Sequence, residues 1–207
     1  MLPYLILGTT YAFAAAVQPG QLQAYLISQS LANGWRRTLP AAFAPILSDA
    51  PIVTLVLLVL TRVPPSFVYM LQLAGGVFIL YLAAGAFKAW RDGRGAAAAS
   101  AAPPHQTLIK AAVVNLLNPN PYLGWTLVLG PLVLRAWRQS PANAVALVVA
   151  FYATLVVATA GIIILFGAAR SFGPRVARQL VGISALALAA FGLYQLWSGG
   201  TAVLQRL

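Results

Sequence analysis

The sequence contains no cysteine, and this absence excludes disulfides, thiolate metal sites and a dithiol redox relay. It has only two acidic residues, Asp49 and Asp92, and one histidine, His105. These residues form no paired carboxylates, no cluster of metal ligands and no nucleophile with an adjacent base. We therefore predict that the protein is not an enzyme and that it uses no metal and no cofactor.

Charged residues are also scarce, at 7% of the chain, whereas hydrophobic residues make up 61%. A water-soluble domain of 207 residues could not cover its surface with this composition, so we predict that the lipid bilayer is the solvent. The net charge of +11 comes from 13 Lys and Arg residues, which lie almost entirely between apolar runs. They indicate membrane topology, and no stretch interleaves basic and aromatic residues as nucleic-acid binding requires.

The apolar sequence divides into six runs, each long enough to span a bilayer as a helix. They lie near residues 2–33, 39–61, 66–90, 107–135, 141–169 and 174–198. The pattern predicts an all-α membrane protein with six transmembrane helices in a single membrane domain.

The segment 91–106 carries Arg, Asp, Gly, an alanine run and two prolines, and we interpret it as a cytoplasmic linker. It separates a first three-helix repeat, residues 1–90, from a second, residues 107–207. Because three spans is an odd number, the second repeat must enter the membrane in the opposite sense. The sequence therefore predicts an inverted repeat.

Basic residues are distributed unevenly between the two sides of this six-span arrangement. One side holds nine of them: Arg36, Arg37, Lys88, Arg91, Arg94, Lys110, Arg170, Arg175 and Arg178. The other side holds four: Arg62, Arg135, Arg138 and Arg206. The positive-inside rule then places both termini on the non-cytoplasmic side.

The first and fourth runs are each interrupted by proline. The first run would be about 48 Å long as a straight helix, and Pro19-Gly20 favours a break between Gln18 and Gln21. In the fourth run, Asn118 is a favoured N-cap and Pro119 a favoured first helical residue. Free N–H groups of the half-helix that begins there would attract a carboxylate. The alternative is a simple proline kink that binds no ligand.

Asp49 is the only acidic residue within an apolar run. A carboxylate at the centre of a spanning helix costs about 2.5 to 3.5 kcal/mol on insertion scales, so we expect it to face the bundle interior and to carry a proton-coupling role. The alternative is a structural hydrogen bond to backbone opened by Pro45 and Pro51. Trp125, close to the Asn118-Pro119-Asn120-Pro121 interruption, is a candidate to line a nearby cavity.

The order of these features resembles the lysine/threonine exporter family of amino-acid efflux transporters, over nearly the whole chain. The resemblance rests on the first-span Pro19-Gly20, the stretch Leu31-Ala32-Asn33-Gly34-Trp35-Arg36-Arg37, Asp49, Leu73-Ala74-Gly75-Gly76 with Tyr81-Leu82, and Leu117-Asn118-Pro119. It implies an exporter of the bacterial cytoplasmic (inner) membrane driven by the proton gradient, and it suggests a homo-oligomer. The family often has proline at position 21 and lysine at position 120, where this chain has Gln21 and Asn120, so the cavity lacks a basic side chain.

We predict proton-coupled export of an amino acid or related small solute. The predicted solute-binding residues are Gln18, Pro19, Gly20, Gln21, Asn118, Pro119 and Asn120, and the predicted proton-coupling residue is Asp49. Two alternatives are a metal or inorganic-ion exporter of the same superfamily, which the scarcity of His, Cys and carboxylates disfavours, and a non-transporting membrane scaffold subunit.

Overall fold

The structure, a computed structural model, describes residues 1–58, 65–91 and 103–204. These residues form helices joined by short turns, without a strand, as predicted. Most of the predicted linker, residues 92–102, lies outside the described residues, as do Arg62, Asp92, Arg94 and Arg206.

The described residues of the first half of the chain form five α-helices. They are α1 (Leu2–Val17), α2 (Gln21–Asn33), α3 (Trp35–Thr38), α4 (Ala44–Leu58) and α5 (Pro65–Arg91). A 3-10 segment, Leu39–Phe43, joins α3 to α4. The turn after α2 is made by Gly34, whose φ of 85° lies in the region that only glycine adopts without strain.

The second half contains the remaining five. They are α6 (Pro104–Leu116), α7 (Pro119–Gly124), α8 (Gly130–Gln139), α9 (Pro141–Ala168) and α10 (Pro174–Leu204). A π-helical segment, Trp125–Leu129, joins α7 to α8 without a turn, and a 3-10 segment, Ala169–Phe172, follows α9. Four of these five helices begin at a proline, whose fixed φ suits a first helical residue and whose missing N–H is not needed there.

Within the described ranges, four helical stretches are long and apolar enough to cross a membrane: Trp35–Val56, Ser66–Lys88, Pro141–Ala168 and Arg175–Ala202. Helices α1, α2 and α6 are shorter, with 16, 13 and 13 residues, because the chain leaves the helical conformation after Val17 and again after Leu116. The expectation that residues 2–33 and 107–135 also span the membrane stays a prediction.

Two pairs of helices pack along each other, α5 with α10 and α1 with α9. Glycine brings α5 and α10 together, because a Cβ atom on Gly76 would lie 3.0 Å from the Gly192 carbonyl oxygen and one on Gly192 would lie 3.1 Å from that of Gly76. Such close contact of small residues is a common way for helices to pack in membranes.

Large apolar side chains remain on the outside of this bundle. Val157, Leu127 and Tyr194 are 72%, 69% and 68% exposed, and they lie on three different helical segments. An apolar surface of this kind in water would drive association, whereas in a bilayer it faces lipid. The described residues therefore form a multi-pass membrane bundle.

Candidate functional site

The first interruption lies between α1 and α2. Gln18 has an extended backbone, with φ −61° and ψ 123°, and Gly20 is also extended, so three residues separate the two helices. The carbonyl groups at the end of α1 are covered from the other side of the gap. The Gln23 side chain donates to the carbonyl oxygens of Ala15, at 3.4 Å, and Ala16, at 3.1 Å. Gln23 thus ties the two half-helices together.

The N-terminus of α2, in contrast, is not covered. Gly20 is its N-cap and has no side chain to accept a hydrogen bond. The N–H groups of Gln21, Leu22 and Gln23 have no partner among the described residues, and the first helical bond is from Ala24 N–H to the Gly20 carbonyl. Three N–H groups and the positive end of the helix dipole are therefore free to bind an anionic group.

The second interruption lies between α6 and α7. Asn118 is the N-cap of α7, Pro119 is its first residue, and Asn118 itself is extended, with φ −84° and ψ 125°. Carbonyl groups at the end of α6 are covered by side chains. Tyr122 donates its hydroxyl to the Leu116 carbonyl at 2.9 Å, and Gln195 of α10 donates to the Leu117 carbonyl at 3.4 Å.

The N-terminus of α7 differs from that of α2. Pro119 and Pro121 have no N–H, and the N–H of Asn120 donates to the Asn118 side chain at 3.1 Å. The first three residues of α7 therefore offer no free N–H group. The prediction that free N–H groups at this end would attract a carboxylate is wrong for these three residues, because proline and the N-cap remove or occupy their N–H groups.

Asp49 lies on α4 and is 4% exposed. Its carboxylate accepts three hydrogen bonds, each from a different helical segment. The Asn115 amide donates to Oδ1 at 3.2 Å, and Trp125 Nε1 and the Tyr152 hydroxyl donate to Oδ2 at 3.3 and 3.2 Å. All three donors are neutral side chains, so the described contacts give the carboxylate hydrogen bonds but no balancing positive charge.

Asn115 also joins α6 to the neighbouring residue of α4. Its amide donates to the Ser48 hydroxyl at 2.7 Å, and Ser48 in turn donates to the Ala44 carbonyl at 3.0 Å. The alternative role for Asp49, as a partner of backbone opened by prolines, finds no support in these contacts. Its partners are side chains, and it is Ser48 that bonds to a carbonyl of the helix.

Aromatic rings surround the carboxylate. The Trp125 ring meets the Phe151 ring edge to face, with centroids 6.2 Å apart, and lies 6.4 Å from the Tyr152 ring. Phe151 also stacks on Tyr11 at 6.0 Å. These contacts fix the indole and the phenol that donate to Asp49, so these two donors are held by packing as well as by hydrogen bonding.

A cavity of about 130 Å³ opens between the two interruptions and Asp49, and we call it the Asp49 cavity. Its lining consists of Tyr11, Ala15, Gln18, Pro19, Gly20, Leu22, Gln23, Pro45, Asp49, Asn115, Asn118, Asn120, Pro121, Gly124, Trp125, Leu129, Phe151 and Leu155. Asp49 is the only acid in this lining, which includes no Lys, Arg or His.

The structure brings most of the predicted site residues to this cavity. Gln18, Pro19 and Gly20 line it from the first interruption, Asn118 and Asn120 from the second, and Asp49 from α4. Two predicted residues, Gln21 and Pro119, do not line it. Gln21 is the half-buried first residue of α2, and Pro119 is buried at the beginning of α7.

Sequence reasoning missed several groups at the site: Tyr11, Gln23, Asn115 and Tyr152. Asn115 could have been found, because it lies three residues before Asn118 and hence about one helical turn away on the same face. The two tyrosines are polar-tipped residues within apolar runs, which is a weaker signal.

The comparisons with known proteins agree with this architecture. The family described as LysE type translocator matches residues 13–199, which include both interruptions and Asp49. No curated protein and no solved structure matches the chain. The match covers most of the chain and agrees with the resemblance that the sequence motifs suggest. The chain belongs to the LysE type translocator family and is a multi-pass membrane transporter of small solutes.

Proposed function

We propose that the protein exports an amino acid or a related small zwitterion across the bacterial inner membrane in exchange for protons. The observation that carries this proposal is the placement of Asp49. It is a buried carboxylate without a cation among its contacts, and it faces a cavity between two helix interruptions. A carboxylate in an apolar bundle is stabilised when a proton or an ammonium group neutralises it.

The two ends of a zwitterion have matching groups in the cavity wall. The ammonium group would bind Asp49, and the carboxylate would bind the free N–H groups at the N-terminus of α2, beside Gly20 and Leu22. Neutral contacts would come from Gln18, Asn118 and Asn120, which also line the cavity. This arrangement compensates both charges of the solute without a basic side chain.

The same geometry provides the coupling. A proton and a substrate ammonium group would compete for the one carboxylate, because Asn115, Trp125 and Tyr152 already occupy most of its acceptor positions. Binding of the solute would release the proton, and uptake of a proton would release the solute. Solute and proton are therefore exchanged because Asp49 can bind only one of them at a time.

The volume of the Asp49 cavity limits the solute. At about 130 Å³ it is close to the roughly 150 Å³ of an apolar cavity that accommodates one benzene ring. A small amino acid fits this space, whereas a peptide does not. Leu129, Phe151 and Leu155 supply an apolar part of the wall against which a side chain could pack.

Alternating access would follow from the predicted architecture of six spans as an inverted repeat. Residues 1–90 and 107–207 would form the two repeats, with the first and fourth spans broken at Pro19 and Pro119, and 91–106 would form the cytoplasmic linker. One repeat rocking against the other would expose the cavity to each side in turn, with both termini on the non-cytoplasmic side.

The test uses purified protein in liposomes that contain a pH-sensitive dye. With a proton gradient imposed, a panel of amino acids is screened for substrate-dependent proton flux. We expect flux with some small neutral amino acids and its loss to the background of protein-free liposomes in Asp49→Asn, because an amide cannot exchange a proton. Asp92→Asn, which changes the only other acid in the sequence, is the matched control and keeps the flux.

Two results would contradict the proposal. An Asp49→Asn protein that exports with unchanged pH dependence would remove Asp49 as the coupling residue. Absence of flux with every amino acid, from protein that is folded, would favour the inorganic-ion exporter or the scaffold.

A further inference from the structure

Helix α2 carries a row of buried polar atoms that have no hydrogen-bond partner in the described part of the chain. They are Gln21 Oε1, the Tyr25 hydroxyl and the Ser28 hydroxyl. Six such atoms occur among the described residues, so this one 13-residue helix holds half of them. Tyr25 and Ser28 are 1% and 0% exposed, which makes the missing partners costly for folding.

The three residues lie on one face of the helix. Their spacing of four and then three residues places them within an arc of about 60°, since each residue of an α-helix turns by about 100°. The row begins at the first residue of α2, next to Gly20 in the wall of the Asp49 cavity, and runs toward the end of the helix at Asn33. We call it the α2 polar face.

Neither hydroxyl is explained by local structure. Other hydroxyls in the helices bond to a carbonyl one turn back, as Ser48 does to Ala44 and Thr54 does to Ala50, but Ser28 does not use the Ala24 carbonyl. Tyr25 lies in an apolar cluster with Leu26, among others, where phenylalanine would fill the same space without an unpaired oxygen. Both hydroxyls therefore lower the stability of this conformation, because they are buried without a hydrogen bond that offsets the loss of water.

We propose that the α2 polar face lines the solute path on one side of the Asp49 cavity, closed in this conformation and wetted when α2 separates from its neighbours. Helices α10 and α6 pack against α2, as does α9, which carries the Ile163 carbonyl that accepts a hydrogen bond from Ser30. When α2 separates from α10 and α6, water and the polar groups of the passing solute become the partners that the three side chains lack. An open path bounded by polar atoms is the setting in which such groups are tolerated inside a membrane protein.

Ser30 provides a control within the same helix. It is also 0% exposed, but it lies on the opposite side of α2 and donates its hydroxyl to the Ile163 carbonyl. Ser28 and Ser30 thus share residue type, burial and helix, and they differ in face and in having a partner. The natural sequence has no cysteine, so single cysteines can be introduced at either position without other changes.

The experiment measures the modification of Ser28→Cys and Ser30→Cys by a small water-soluble methanethiosulfonate reagent in proteoliposomes under a proton gradient. We expect Ser28→Cys to react at least roughly tenfold faster than Ser30→Cys, because local opening would expose the α2 polar face and leave the Ile163 side packed. Equal rates at the two positions, or no reaction at either, would overturn the proposal.

A second pair of variants applies if either cysteine protein fails to fold. Ser28→Ala and Tyr25→Phe remove unpaired oxygens, so the melting temperature should stay equal or rise while transport falls. Ser30→Ala removes a made hydrogen bond, so its melting temperature should fall while transport per folded protein is kept. Transport unchanged in Ser28→Ala and Tyr25→Phe would overturn the proposal.

This inference rests on the proposed transport, but the labelling needs no known substrate, so the two can fail separately. If Ser28→Cys is labelled faster than Ser30→Cys but no amino acid produces flux, the proposal that the solute is an amino acid fails and the proposal that the α2 polar face lines the path stands. If an amino acid produces flux but both positions are labelled at equal rates, the transport proposal stands and the proposal that the α2 polar face lines the path fails.

Discussion

The two helix interruptions present different chemistry to the Asp49 cavity. At the first, the three N–H groups that begin α2 are free. At the second, Pro119 and Pro121 have no N–H and the Asn120 N–H is bound to Asn118. One interruption can therefore bind an anion through the main chain, and the other supplies side chains and a fixed framework.

The carbonyl groups at the two interruptions are also covered from different sources. Gln23, just beyond the first gap, covers two carbonyls of α1. At the second gap the donors are Tyr122, from α7, and Gln195, from α10. In the described part of the chain, the side-chain donor at the first gap comes from directly across it, whereas one of the donors at the second gap comes from a distant helix. The two interruptions therefore differ in the helices that supply their hydrogen-bond donors as well as in the groups that they present.

The largest effect is expected at the first interruption, in Gln23→Met. The change keeps the length of the side chain but leaves the Ala15 and Ala16 carbonyls without partners, which should lower the free energy of unfolding by about 2 kcal/mol or more. Because α2 is no longer held to α1, the apparent affinity for solute should also fall. Reversible unfolding in SDS and solute-dependent flux measure the two effects.

The control is Gln29→Met, on the same helix but away from the gap. An equal loss of stability and of flux in both variants would contradict the assignment of Gln23 as the residue that ties α1 to α2.

A smaller effect is expected at the second interruption, in Tyr122→Phe. Loss of the hydroxyl leaves the Leu116 carbonyl unpaired and should lower the free energy of unfolding by about 1 to 2 kcal/mol. The KM for solute should not change, because Tyr122 does not line the cavity. The same unfolding and flux measurements apply, with Tyr81→Phe, at an exposed tyrosine, as control. A raised KM in Tyr122→Phe would show that the second gap also shapes the binding site.

The smallest effect separates two roles of Asn118. Asn118→Ala removes the N-cap of α7 and should cost about 1 kcal/mol of stability, whereas Asn118→Ser keeps a capping oxygen and should restore most of it. Both variants remove the amide from the cavity wall, so both should weaken solute binding to a similar extent. Thermal unfolding in detergent, together with the flux assay, distinguishes these effects. Full transport in Asn118→Ser would limit Asn118 to capping.

Local sequence rules predict where the interruptions lie. The preference of asparagine for N-caps and of proline for first helical residues gives the beginning of α7, and the lone acid in an apolar run gives Asp49. The difference between the interruptions was also present in the sequence, since proline has no N–H. For this reason the prediction of free N–H groups at the beginning of α7 fails at its first three residues.

The partners of Asp49 could not be predicted in the same way. Asn115, Trp125 and Tyr152 are 66, 76 and 103 residues away along the chain. Which of the polar side chains in the apolar runs reach the carboxylate depends on how α6, α9 and the π-helical segment rotate against α4, and periodicity within one run does not determine that rotation. The α2 polar face could not be predicted for the same reason, because the lack of a hydrogen-bond partner can be recognised only when the positions of the neighbouring helices are known.

The direction in which the Trp125 indole points depends on how the π-helical segment Trp125–Leu129 is wound. A π turn accommodates about one residue more than an α turn, and each residue of an α-helix turns the chain by about 100°. A shift of this segment by one residue would therefore carry Trp125 about a quarter of a turn around the helix axis and away from Asp49. The hydrogen bond from Trp125 to the Asp49 carboxylate therefore depends on the winding of the backbone as much as on the residue at position 125.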